Sequence, residues 1–229
     1  YKMAINVYPG AVHLSLPVDI MFSSFDEDVG SQERPFAMAA QAPARAWPEP
    51  EKLKAVLARL AAAKRPVLIG GHGVWWSGAE ALLEEAGRRL HIPIFNIPYH
   101  QKLLGEDCEA YMGLADVHQY HPSADAFNEA DLVLMIGGRL DNQMNFGNPP
   151  LFPATTTLCC INGSHEEVDF NRAADMTLLS DPGAFLQAVI DAGARGDIST
   201  DKGWFALNRR RRAEWVAKMI ADVEAEAAD

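Results

Sequence analysis

The chain has 229 residues, 48% of them hydrophobic and 22% charged, with a formal net charge of −11. That length holds one large domain, or one domain with appended pieces, and the composition is that of a globular protein. An acidic surface repels phosphate backbones, so nucleic acid is not an expected partner, and the short basic cluster Arg209 to Arg212 is too local to reverse this. No run approaches the ~18 apolar residues of a membrane span, so no membrane is expected either.

The three cysteines are Cys108 and the adjacent pair Cys159-Cys160. Their count is odd and no metal spacing exists, so they read as small, reduced, buried thiols of a cytoplasmic protein. The start, Tyr1-Lys2-Met3-Ala4, is not a signal peptide. It also lacks an initiator methionine, which points to a chain taken from inside something longer.

In chain order, Val12, Leu14 and Leu16 alternate between Pro9-Gly10 and Pro17 and predict a strand. Residues 23 to about 48, punctuated by Gly30, Pro35, Pro43 and Pro48, have the composition of a linker. From Pro50 the pattern is regular. Leu53, Val56, Leu57 and Leu60 lie on one helical face. Pro66 to Ile69 reads as a strand running into Gly70-Gly71-His72-Gly73. Ala79, Leu82, Leu83, Ala86 and Leu90 form the next helical face, and Pro93 to Ile97 a second strand. A long connection, Pro98 to about Pro122, leads to a short helix over 123–130. Strands follow at 131–136, 157–161 and 176–179. Asp181-Pro182 then opens a helix, with Asp at the N-cap and Pro at the first helical position. Residues 201–229 are helical in pattern.

These strands are short continuous apolar runs, which belong to parallel sheets covered on both faces. Their alternation with helices predicts a doubly wound, mostly parallel α/β sheet flanked by helices, Rossmann-like, over about Pro48 to Gly196. In such sheets ligands bind at the carboxyl ends of the strands, where Gly71, Gly73, Gly137 and Gly138 fall, with Gly113 in the long connection. Glycine lets backbone amides approach a phosphate, Arg139 can pair with a diphosphate, and Asp141 can accept from a ribose hydroxyl. Glycines at strand-to-helix turns are equally required for tight packing without any ligand, and the first turn is not G-x-G-x-x-G. His118 and His121 near Asp116 lack a further ligand at useful spacing and read as surface or capping residues. No G-x-S-x-G elbow supports a hydrolase.

Four segments in order resemble the thiamine-diphosphate-dependent enzymes of the acetolactate synthase kind. Gly10-Ala11-Val12-His13-Leu14-Ser15-Leu16-Pro17-Val18-Asp19-Ile20 is similar to the end of their pyrimidine-binding domain. Ala63 to Gly73 is similar to the opening of their central domain. Asp131 to Asp141 resembles its A-D-L-h-L-h-h-G-x-R-h-D motif, and Ser180-Asp181-Pro182 its closing element. The resemblance implies a remnant of the pyrimidine domain at 1–22, a linker at 23–47, the central nucleotide-binding-type domain at 48–196, and a helical linker at 197–229 toward a diphosphate-binding domain. It implies a parent carboligase or decarboxylase of 2-keto acids, working as a homo-oligomer, with thiamine diphosphate and magnesium held by the other two domains. The fragment alone is then inactive and has no catalytic or metal residue of its own. Family members carry FAD, ADP or nothing in this domain. By position Gly71, Gly73, Gly113, Gly137, Arg139, Asp141 and Asp181 would line the groove. Ala115-Asp116 and Asn162-Gly163 depart from the flavin-binding pattern. Two readings stay open: a groove for FAD or ADP, or a vestigial scaffold that only joins the catalytic domains. A free-standing NAD-binding domain is a third, opposed by the missing G-x-G-x-x-G.

Overall fold

The structure, a computed structural model, describes residues 10–24, 44–98, 103–118, 120–169 and 171–227. It divides into two units, Tyr1–Arg45 and Ala46–Asp229. In the first, the only described helix is α1, Val18–Met21. The strand expected around Val12 does not form, and Val12, Leu14 and Leu16 are exposed. Alternation alone does not hold a strand without a neighbour to complete its hydrogen bonds. Residues 25–43 of the expected linker lie outside the described residues.

The second unit opens with α2, Pro50–Ala62, whose proline stands in the first turn where no amide is needed. Val56 and Leu60 turn its apolar face inward. Then follow β1 (Pro66–Gly70), α3 (His72–Trp76), α4 (Glu80–Leu90) and β2 (Ile94–Asn96). His91, left-handed at φ 51°, stops α4. Next come β3 (Tyr111–Leu114), α5 (His121–Glu129), β4 (Leu132–Ile136), β5 (Thr157–Asn162), β6 (Met176–Leu179), α6 (Pro182–Ala194) and α7 (Lys202–Glu226).

The strands form one sheet in the order β3-β2-β1-β4-β5-β6, and every pair is parallel. The chain winds outward from β1 to β3, then crosses back to place β4 beside β1. That reversal puts the switch point, where such sheets open a crevice, between the carboxyl ends of β1 and β4. Every residue of β1 and β4 is buried, as the unbroken apolar runs require. The helices α4 and α6 pack together, as do α5 and α7. Three aromatic rings pack together within the core: Phe127 lies 5.1 Å from Phe95, edge to face, and 5.2 Å from Phe152, stacked.

Two elements differ from the sequence reading. The edge strand β3 lies inside the stretch read as a long connection. It has four residues, carries Gly113 at φ +113°, and its register against β2 slips between Ile94 and Phe95, so periodicity has nothing to detect. The first part of α7 is built into the core. Trp204 and Phe205 are buried, and the Trp204 indole donates to the Pro66 carbonyl at 3.0 Å. The arginine run holds the helix to its own unit: Arg211 pairs with Glu129 at 2.5 Å, Arg209 with Glu109 at 3.7 Å, and Arg212 with Glu106.

Candidate functional site

The carboxyl ends of β1 and β4 carry the two glycine turns, and these are packed against each other. The parallel ladder continues past the strands: the Gly71 amide donates to the Ile136 carbonyl at 2.9 Å and the Gly137 amide to Ile161 at 2.8 Å. The Gly73 amide donates across to the Gly137 carbonyl at 2.8 Å. A Cβ on Gly71 would stand 2.5 Å from the Gly137 oxygen, and one on Gly73 2.7 Å from the Gly137 Cα. Backbone approach of turn to turn therefore accounts for glycine at 71 and 73. Gly137, at φ +64°, also takes a left-handed conformation that a side chain disfavours. The helix after the first turn, α3, has five residues and ends on the exposed Trp75-Trp76 pair, so its dipole is small.

Arg139 and Asp141 follow β4 directly. Both guanidinium donors Nε and Nη2 of Arg139 go to the carboxylate of Glu167, which is 4% exposed and follows β5. This two-pronged pairing is the geometry in which Arg would otherwise take a diphosphate. The Asp141 carboxylate accepts from the Gln143 amide at 3.1 Å and caps a 3₁₀ turn, Asn142–Gly147. Sequence reasoning missed Glu167, which ends a short 3₁₀ turn, His165–Glu167, after β5. The signal available was an acidic residue after a strand neighbouring the Arg139 strand.

The other two expected residues are Gly113 and Asp181. Gly113 is in the edge strand β3, pairs with Phe95, and leaves room for the Tyr120 ring, 2.5 Å from where its Cβ would be. Three strand spacings of ~4.8 Å separate it from β4. Asp181 caps α6 through the Ala184 amide at 3.0 Å and accepts from the Ser77 hydroxyl at 2.9 Å, tying α6 to the end of α3. The structure thus brings Gly71, Gly73, Gly137, Arg139, Asp141 and Asp181 to the carboxyl end of the sheet, with Asp181 held against Ser77 at the end of α3, and places Gly113 within the edge strand β3. Replacing Asp181 with Ala removes a cap and leaves the buried Ser77 hydroxyl without this acceptor. We expect a loss of about 2 kcal/mol in urea unfolding, while Asp181→Asn, which keeps an acceptor, loses less than half of that.

Two buried amides at the same end of the sheet have an open position. Asn96 Oδ1, closing β2, and Asn162 Nδ2, closing β5, have no hydrogen-bond partner although both residues are 3% exposed. His118 and His121 are exposed, and the His118 Nε2 lies 3.0 Å from the Asn142 carbonyl. Among the described residues no group of three or more His, Cys, Asp or Glu could hold a metal ion. Burial pushes the Cys159 and Cys160 thiols up to about 12, so both stay protonated and chemically quiet near neutral pH. No helix of the described residues is long and apolar enough to cross a membrane.

The family model described as "Thiamine pyrophosphate enzyme, central domain" matches residues 53–189. The probable acetolactate synthase large subunit of Methanococcus aeolicus is 25% identical over 190 residues, which cover 83% of this chain and 31% of that protein. The acetolactate synthase isozyme 1 large subunit of Escherichia coli is 27% identical over 226 residues, 99% of this chain and 36% of that protein. The chain spans about a third of the length of these curated relatives. Among solved structures, the benzoylformate decarboxylase of Polynucleobacter necessarius matches with a TM-score of 0.55 at 22% identity, over 67% of this chain and 29% of that one, which shows a shared fold. The six-stranded parallel sheet and a family match over more than half of the residues agree, and the chain belongs to the central domains of thiamine pyrophosphate enzymes.

Proposed function

We propose that this chain is the central domain of a thiamine-diphosphate-dependent enzyme acting on 2-keto acids, and that it joins and orients catalytic neighbours without holding a nucleotide. Thiamine diphosphate and magnesium belong, on this reading, to the pyrimidine-binding and diphosphate-binding domains of the parent. Residues 1–22 are the remnant of the first of these and 197–229 lead toward the second. The parent is a carboligase or decarboxylase working as a homo-oligomer in the cytoplasm.

The observation that carries the scaffold reading is the engagement of the glycine amides. A phosphate cradle needs backbone N–H groups directed at the ligand. Here those of Gly71, Gly73 and Gly137 point at carbonyls of neighbouring strands and turns. The Arg139 fork closes on Glu167. A diphosphate entering would have to break these bonds and leave a buried carboxylate uncompensated, which costs several kcal/mol. The residues present at this end of the sheet do not fit a phosphate-anchored group.

One observation favours the second reading, a groove for FAD or ADP. The open amide atoms of Asn96 and Asn162 flank the switch point from β2 and β5, about 14 Å apart at three strand spacings. Buried amides want partners, and polar atoms of a ligand could supply them. Titration calorimetry of the 229-residue chain with FAD and with ADP decides between the two. The scaffold reading expects no saturable heat and a melting temperature unchanged within about 1 °C at 1 mM ligand. A dissociation constant below about 10 µM for either ligand, weakened by Asn162→Leu, overturns it in favour of the groove.

A further inference from the structure

The helix α7 changes character along its length. From Trp204 to Trp215, about 17 Å, it is fastened to its own unit, where it packs on α5 and β3. Beyond Trp215 it is open, with an apolar stripe of Met219, Ile220 and Val223 exposed. The Trp204 indole and the Arg211–Glu129 pair tie the fastened part to the start of β1 and the end of α5. Other contacts go to β3 and the segments beside it. Arg212, whose side chain is 20% exposed, lies over the Tyr111 ring at 5.2 Å and pairs with Glu106. Arg209 reaches Glu109 at 3.7 Å. Trp215 meets the Tyr120 ring edge to face at 4.6 Å, and the Tyr120 hydroxyl donates to the Met112 carbonyl inside β3. The helix therefore grips the strand on both sides, from Glu106 before it to Tyr120 after it.

The sheet itself holds β3 weakly. The strand has four residues, stands at the edge with β2 as its neighbour in the sheet, and slips register between Ile94 and Phe95. Gly113 at φ +113° departs from strand geometry within it. A short strand on one irregular ladder is marginal by itself, and a helix laid over an edge strand is a common way to secure one. The ladders β1–β4 and β4–β5 each run five residues in unbroken register through the middle of the sheet. We propose that α7 from Trp204 to Trp215 and the segment 105–115, which contains β3, open and close as one cooperative substructure while β2, β1, β4, β5 and β6 stay paired. Proteins open in such contiguous pieces where a few contacts hold an element that the core does not. The fate of the edge strand is thereby tied to the helix that leaves the unit: displacing α7 uncovers Tyr111, Tyr120 and Cys108 and frees the outer side of β2. This coupling does not depend on whether the sheet takes a nucleotide, so titration with FAD or ADP tests a different statement.

The chain carries its own reporters. Cys108 is 4% exposed and lines the groove of about 510 Å³ between α7 and the Glu106–Glu109 segment. Cys159 and Cys160 are buried in β5, paired with β4 and β6. The 229-residue chain is labelled with 5,5′-dithiobis(2-nitrobenzoate) below its urea transition, with the labelled sites assigned by mass spectrometry, and amide exchange is followed by NMR. Cys108 should react at least about tenfold faster than Cys159 and Cys160. The amides of Met112 to Ala115 and of Asn208 to Trp215 should report one common opening constant, larger than that of β1 and β4. Arg212→Ala should raise Cys108 labelling and both sets of amides together, by at least about threefold. Trp215→Ala serves as the second variant. Ile190→Val, on α6 and away from α7, weakens only contacts that the opened form keeps. It should speed Cys159 and Cys160 by about threefold or more and leave Cys108 and the β3 amides unchanged. The proposal is overturned if Cys108 reacts no faster than Cys159 and Cys160, or if Ile190→Val speeds all three thiols alike, because opening is then global. It is equally overturned if Arg212→Ala and Trp215→Ala loosen the α7 amides while those of β3 keep their protection.

Discussion

Gly71→Ala is expected to be the most damaging single-methyl change in this chain. The added Cβ would lie 2.5 Å from the Gly137 oxygen and 2.5 Å from the Gly138 Cα. Both are backbone atoms, held by the hydrogen bonds that run from β1 through β4 to β5. No side chain can rotate out of the way, so the two turns must separate and the Gly71–Ile136 and Gly73–Gly137 bonds must lengthen. Overpacking against a fixed backbone costs about 3 kcal/mol or more, and here hydrogen bonds are lost as well. Urea unfolding should show a midpoint lowered by that amount, or the protein should fail to accumulate in soluble form. Two controls separate contact from conformation. A Cβ on Gly70 meets the ends of the Leu83 and Leu103 side chains, which can shift. Gly78, at φ +62°, has nothing within 4 Å of its Cβ, so Gly78→Ala should cost only the left-handed penalty of about 1 kcal/mol. A Gly71→Ala protein as stable as Gly78→Ala would show that the turns do not touch.

Phe127→Ala should cost a further large amount by a different route. Phe127 on α5 is fully buried between Phe95 of β2 and Phe152 of the β4–β5 connection. Removing its ring opens a cavity walled by two aromatic faces that the sheet and helices hold apart. Phe→Ala changes at such sites cost about 3–5 kcal/mol. Phe127→Leu, which refills much of the space, should recover more than half. Denaturant midpoints at constant slope measure this. Val223→Ala on the exposed part of α7 should stay within about 0.5 kcal/mol of the wild type and serves as the surface reference. A small effect of Phe127→Ala would mean that the site collapses easily, which contradicts a close-packed three-ring core.

The elements that the sequence shows most clearly are those whose burial is local and repetitive. Val67 to Ile69 and Leu132 to Ile136 are unbroken apolar runs because helices cover both faces of the sheet, and both are strands with every residue buried. Asp181-Pro182 announces a helix start because cap and proline act on neighbouring amides, and the α6 boundary falls there. The Val12 strand and β3 go the other way for one reason. Alternation around Val12 names a strand without naming its neighbour, and no strand forms there. Tyr111 to Leu114 shows little pattern, yet β2 supplies a neighbour and a strand forms. The site divides similarly. Glycine, arginine and aspartate after the strand ends are visible in the sequence, but the same glycines serve a phosphate or a neighbouring backbone, and only their distances decide which.

The sequence alone determined the fold class, the family resemblance, and the placing of glycine-bearing turns at the carboxyl ends of parallel strands. Each of those follows from patterns a few residues long, set by hydrophobic period and local backbone geometry. The tertiary structure decided where the hydrogen bonds of those turns go, that Glu167 occupies the Arg139 fork, and that α7 begins in the core and ends with an open stripe. Those outcomes depend on which distant segments meet. A chain encodes its own donors and acceptors residue by residue, but a partner 28 or 64 positions away, such as Glu167 for Arg139 or Gly137 for Gly73, is chosen only when the sheet closes.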